Sequence, residues 1–255
     1  MAFTKKSKRK NVKEPLIEDD LIIDSLETSI KKDWFCNFKL SNKFKLNDVH
    51  NSFMELCLYK DTKMIFVDGP AGSGKSYLSV YAALQMLQKK EINQIIYLRS
   101  IAESGSKSIG SLPGELDLKF QPYIGPMIEK LDELVGPKVG GELIKNNYIK
   151  CMPVNFVRGL TFRNSIVIVD ESQNLEIKEL VTILTRFGEN TKYIVIGDSF
   201  QSDIGSRTGF TKIKNAFDNP ESEENGIHNF IFTENEVVRS QILKFIVKKL
   251  EAIQH

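Results

Sequence analysis

The stretch GPAGSGKS at 69–76 constrains this chain more than any other. It follows a short apolar run, MIFVD at 64–68, that reads as a buried strand. Residues 75–88 lack proline and glycine and carry Leu78, Ala82, Leu84 and Leu87, so they read as a helix. The pattern GxxxxGK[ST] between a strand and a helix is a phosphate-cradling loop. Gly69, Pro70, Ala71, Gly72, Ser73 and Gly74 form the cradle, because glycines allow the backbone to turn N–H groups toward an anion. The helix behind aims its positive dipole end at the same point. Lys75 can reach the β- and γ-phosphates, the Ser76 hydroxyl can ligate Mg²⁺, and Tyr77 follows directly. A glycine-rich turn that only starts a helix has no need of Lys75. The expected ligands are therefore ATP and magnesium.

A second run, SIVIVDESQN at 165–174, ends a buried strand in two acids. Asp170 can hold the magnesium through water, and Glu171 can act as general base for an attacking water. A third strand, KYIVIGD at 192–198, leads into GDSFQ, whose Gln201 can report the γ-phosphate. Ligands of parallel sheets sit at the carboxyl ends of strands. Lys75 and Asp170 are thus expected to face each other across one pocket, at the tips of neighbouring strands.

Strands at 64–68, 94–98, 165–170, 192–198 and 227–232 alternate with helical patterns. This predicts an α/β fold of three layers, a mostly parallel central sheet flanked by helices. Residues 1–35 read as a charged arm, basic at 4–13 and acidic at 14–33, suited to a nucleic-acid contact or to solubility alone. Residues 36–255 read as one domain, with 100–150 an inserted or connecting segment. Thr233 and Glu236 fit a capping box that opens a last amphipathic helix through Ile242, Ile246 and Leu250. Hydrophobic residues make up 41% and no stretch is long and apolar enough to cross a membrane. The three cysteines are too dispersed for a disulfide framework or a zinc site, which fits a reduced, cytoplasmic protein.

Several motifs in order resemble the PhoH-like family of P-loop ATPases over about 44–250: GPAGSGKSY, LRSIAESG with SLPGEL and KFQPY, VNFVRGLTF, VDESQN, LTRFG, GDSFQSD and EVVRSQIL. The resemblance implies a RecA-like core similar to the first motor domain of superfamily 1 helicases, hence ATP hydrolysis coupled to RNA or single-stranded DNA. It also implies that Gln173 and Gln201 sense the γ-phosphate or orient water. Arg186 and Arg239 then take catalytic or coupling roles, and Arg158 and Thr161 structural or switch roles. Ser172 replaces an alanine common in the family. Where relatives often carry an Asn-Gln pair ahead of the loop, Asp48 or Asn51 stands. No PIN-type ribonuclease domain is expected ahead of the loop.

One motor core has no second domain to supply an arginine to the phosphates. Arg186, Arg239 or a neighbouring subunit must supply it, so a homo-oligomer, for example a ring, is expected. A nucleotide-gated switch with little turnover is the main alternative. A small-molecule kinase is the other, weakened by the lack of arginine in 100–150.

Overall fold

Continuous apolar runs bury both faces of the central strands, as a parallel sheet requires. A computed structural model describes residues 38–42, 44–100, 116–205 and 208–237, with positions 245 and 249. Its strands are β1 (Met64–Asp68), β2 (Gln94–Arg99), β3 (Ile149–Pro153), β4 (Ser165–Asp170), β5 (Thr191–Gly197) and β6 (Ile227–Ile231). They form one sheet in the order β3-β2-β4-β5-β1-β6. Every paired neighbour is parallel. β4 and β5 are buried at every position.

The helices are α1 (Asp48–Leu58), α2 (Lys75–Gln88), α3 (Leu116–Leu134), α4 (Pro137–Lys145), α5 (Ile177–Leu184), α6 (Phe210–Ala216) and α7 (Pro220–Glu224). Side chains alternate between the two faces of each strand. Phe66, Ile96, Leu98, Val167, Val169, Tyr193 and Val195 meet Leu180 and Ile183 of α5 and Phe210 of α6 on one face. The intervening residues, including Ile95, Tyr97, Ile166, Ile168 and Ile194, are fully buried on the other. There α2 lies against β2, β4 and β5, backed by α1 and α3. This is a three-layer α/β fold of P-loop type.

One expectation changes. β1 and β4 are not neighbours, because β5 pairs with both. The segment expected as inserted or connecting is, from Leu116 onward, two helices leading to β3, an edge strand of the sheet. β3 escapes sequence reading because IKCMP has an exposed Lys150 and a closing proline, the marks of an edge. The Thr233–Glu236 capping box is present, on the 3₁₀ turn Glu234–Glu236. The arm at 1–35, Arg239 and most of the helix expected after 237 lie outside the described residues.

Ile168 sits at the centre of β4 with no exposed surface. Ile168→Ala is expected to cost about 2–5 kcal/mol. Chemical denaturation should show a lower midpoint with an unchanged slope.

Candidate functional site

A cavity of about 290 Å³ lies where three carboxyl-end turns converge. Ala71, Gly72, Gly74, Lys75, Ser76 and Tyr77 line it from the loop after β1, with Asp170, Glu171 and Gln173 from the turn after β4. Ile196, Gly197, Asp198 and Gln201 come from the end of β5 and its turn, and Lys130 from α3.

The loop demands its glycines. Gly69 has φ +147°, and a Cβ there would lie 2.6 Å from the Phe232 carbonyl oxygen. Gly74, the residue before α2, has φ +88°. The Ser73 hydroxyl donates to the Pro70 carbonyl over 2.9 Å, bracing the turn from inside. Lys75 Nζ donates to the carbonyls of Gly69 at 2.5 Å and Pro70 at 2.8 Å. Burial pulls its ammonium below the ordinary range, against the charges of Asp198, Asp170, Asp68 and Glu171. From outside, His50 of α1 supports the loop. The Asn47 amide donates to His50 Nδ1 at 3.2 Å, which places the ring proton on Nε2, 3.2 Å from the Ser73 carbonyl. Asp48 and Asn51 are exposed and do not line the cavity, so His50 is the residue by which the stretch LNDVHN serves the site.

Ser76 Oγ donates to Asp170 Oδ1 over 2.8 Å. Asp170 Oδ2 accepts from the Tyr97 hydroxyl at 2.5 Å. Glu171 adopts a left-handed conformation, φ +55° and ψ +39°, uncommon and strained for a residue with a side chain. That turn swings its carboxylate off the strand line toward the cavity. Its Oε2 accepts from Gln173 Nε2 at 2.6 Å, and its Oε1 lies 3.4 Å from Arg99 Nη2. Gln173 is buried, and its Oε1 accepts from the Asp198 amide at 3.1 Å. One glutamine side chain therefore joins the acid turn after β4 to the turn after β5. The Gln201 amide closes that second turn on the Asp198 carbonyl at 3.1 Å.

Two further acids stand at strand ends. Asp68 accepts from the amides of Gly69 and Ser199, both at 2.9 Å, from the Ser199 hydroxyl at 2.5 Å and from Lys214 of α6. Burial raises its pKa, but the hydrogen bonds from Lys214 and Ser199 outweigh burial and leave it below the ordinary carboxylate range. Asp198 is the opposite case. Burial holds its carboxyl above the ordinary range, partly offset by the Phe200 amide and Lys75. Its Oδ2 is buried without a hydrogen-bond partner.

Other expected residues stand elsewhere. α5 starts beside the acid turn and runs back along the sheet. Arg186 follows it at the amino ends of β4 and β5, where its carbonyl accepts from Phe162 and its Nε donates to Thr182. It is not brought to the cavity. Arg158 and Thr161 are exposed on the stretch after Val154–Val157, and they too do not line it. Tyr77 reaches the cavity rim and stacks on Phe44, with centroids 5.6 Å apart. Sequence reading missed Tyr97, Arg99, Lys130 and Asp198 as parts of the site. The motif GDSFQ held the signal for Asp198; the others carried none.

Ser76 and Asp170 present a hydroxyl and a carboxylate oxygen side by side, the hard donors that a magnesium ion takes. Among the described residues no group of three or more histidines, cysteines or acids suits a metal. A cation held here would take its remaining ligands from phosphate and water. Cys57 and Cys151 are free, and burial pushes the Cys151 thiol up to about 12. Among the described residues no helix is long and apolar enough to cross a membrane.

Because Asp68 has its folded-state pKa below its ordinary value, its stabilisation is full above that value. It is lost as pH falls through the lower, folded one. Asp68→Asn is expected to cost about 1.5–3 kcal/mol at pH 7. The gap to wild type should narrow on acidification below about pH 4. Denaturant titrations across that range check it, and a constant gap would refute the assignment.

The PhoH-like protein family matches residues 48–251. A PhoH-like protein of Mycobacterium bovis is 34% identical over 186 residues, 72% of this chain and 51% of that one. A PhoH-like protein of Bacillus subtilis is 32% identical over 191 residues, 74% of this chain and 58% of that one. This chain thus spans about half the length of these relatives. The Pif1 helicase of Candida albicans aligns over 83% of this chain and 44% of its own, at 17% identity and a TM-score of 0.40. The match over most of the chain agrees with the phosphate loop and acid turn described above: the chain belongs to the PhoH-like protein family of P-loop NTPases.

Proposed function

We propose that this chain hydrolyses ATP with magnesium in the cavity between the phosphate loop and the β4 turn, and that hydrolysis is coupled to RNA or single-stranded DNA. The observation that carries the reading is the meeting of Ser76 and Asp170 at 2.8 Å, with Lys75 and Glu171 lining the same cavity. Magnesium, when bound, supplies charge neutralisation at the phosphates. The loop amides and the α2 amino terminus bind the phosphate oxygens. Lys75 exchanges loop carbonyls for phosphate. Glu171 takes a proton from the attacking water, with Gln173 fixing its second oxygen. Gln201, which lines the cavity, reports the γ-phosphate in this reading. Coupling to nucleic acid rests on the family's helicase-like motifs and on the basic run TKKSKRKNVK at 4–13. The free thiols of Cys57 and Cys151 accord with a cytoplasmic setting.

A switch with little turnover is the second reading. It is favoured by Glu171, whose two oxygens both face protein groups, Arg99 and Gln173. Phosphate release, measured alone and over a panel of RNAs, single-stranded DNA and duplexes, separates the two. Glu171→Gln is expected to keep nucleotide binding and lose about 10²–10⁴-fold in turnover. A Glu171→Gln protein as active as wild type would remove the hydrolytic reading.

The cavity's cations among the described residues are Lys75 and Lys130. Arg99 is paired with Glu171, and Arg186 stands at the far end of the sheet. An arginine for the transition state, worth about 10³–10⁵ in rate where it acts, then comes from a residue outside the described ones, such as Arg239, or from a neighbouring copy. We propose a homo-oligomer with nucleotide at the subunit boundary. Light scattering with ATP and magnesium should give a mass above the 29.0 kDa of one chain. A mass of one chain under all conditions would defeat this.

A further inference from the structure

We infer that Tyr97 is a positioning residue for the magnesium-side carboxylate, setting metal affinity through Asp170. The inference rests on the ATPase reading above and deepens it. Tyr97 lies in β2, on the α2 side of the sheet, and has no exposed surface. In parallel register it stands opposite Ile168, two places before Asp170 on the adjacent strand. Both side chains therefore point to the same face. The ring fills the space between sheet and helix, and the hydroxyl extends past it to Asp170 Oδ2 at 2.5 Å.

Asp170 itself is 3% exposed, and both its oxygens are engaged. Oδ1 accepts from Ser76 Oγ at 2.8 Å and from the Glu171 amide at 3.2 Å. Oδ2 accepts from Tyr97. Without the phenol, the carboxylate could turn about its last torsion, a broad and shallow one. With the phenol in place, Oδ2 is held toward the sheet interior and Oδ1 toward Ser76. A ligating carboxylate fixed by an outer hydrogen bond holds its metal better, and losing such a partner typically costs about 10–100-fold in metal affinity or activity. Phenylalanine fills the same space as tyrosine, so packing alone does not require the hydroxyl.

The test compares wild type with Tyr97→Phe. Magnesium is titrated against binding of a fluorescent, non-hydrolysed ADP analogue, with ATP turnover measured in parallel. Metal-free binding of the analogue should be unchanged. The magnesium concentration at half effect should rise about 10-fold or more. kcat should fall, with partial recovery at high magnesium and little change in KM for ATP. In an Asp170→Asn background, Tyr97→Phe should add no further change in the magnesium response, because the two act through one group. A Tyr97→Phe protein that unfolds cooperatively and shows the wild-type magnesium midpoint overturns the inference, as do effects that add in the double variant. A wild type whose nucleotide binding ignores magnesium overturns the ATPase reading itself, a distinct result.

Discussion

The site depends on one contact across the fold, the hydroxyl of Ser76 against the carboxylate of Asp170, 94 residues further along the chain. The strands that end at these two places do not touch, since β5 lies between them. The contact is made because α2 carries the chain from β1 to β2, over β5 and β4. Its first turn leaves the phosphate loop on the face toward which Asp170 points. A right-handed crossover between parallel strands permits this path. The separation of β1 and β4 leaves room for a cavity, and the end of β5 forms its floor with Ile196, Gly197 and Asp198.

Strand parity then divides the acids. Asp170 shares its face with Ile166 and Ile168, toward α2, and meets Ser76 and Tyr97. Asp68 shares its face with Phe66, toward α6, and meets Ser199 and Lys214. Both are buried at strand ends, yet one faces the cavity and the other anchors its frame. Asp68 bonds at once to the first amide of the phosphate loop and to the turn after β5, so the loop and the Gln201 turn are fixed relative to each other. A shift of one residue in β1 would turn Asp68 to the other face and away from Ser199 and Lys214.

What could be read in the sequence follows from how local each signal is. The loop, its helix, the acid strand end and four of the inner runs are contiguous, and each carries its physics within a dozen residues. Bounds for β1 and α2 read from pattern agree with those observed. Strand order is not local, and so the neighbouring placement of β1 and β4 was wrong. Arg186 follows an apolar helix, and only the direction of α5 decides which end of the sheet it reaches. Tyr97 and Arg99 look like ordinary strand residues until register sets them beside Asp170 and Glu171. Lys130 lies in a helix whose approach to the cavity is purely tertiary.

The network also explains how so many charged groups stay folded together. Lys75 rests on two loop carbonyls, Ser76 on Asp170, and Glu171 on Gln173 and Arg99. Each of these groups has a partner within the protein, and the donors already point inward, as electrostatic preorganisation requires. Two features remain expensive: the left-handed backbone of Glu171 and the unpartnered buried oxygen of Asp198. Both sit on the turns that Gln173 bridges. The Gln173 side chain joins those two turns, so a displacement of either one acts on the other.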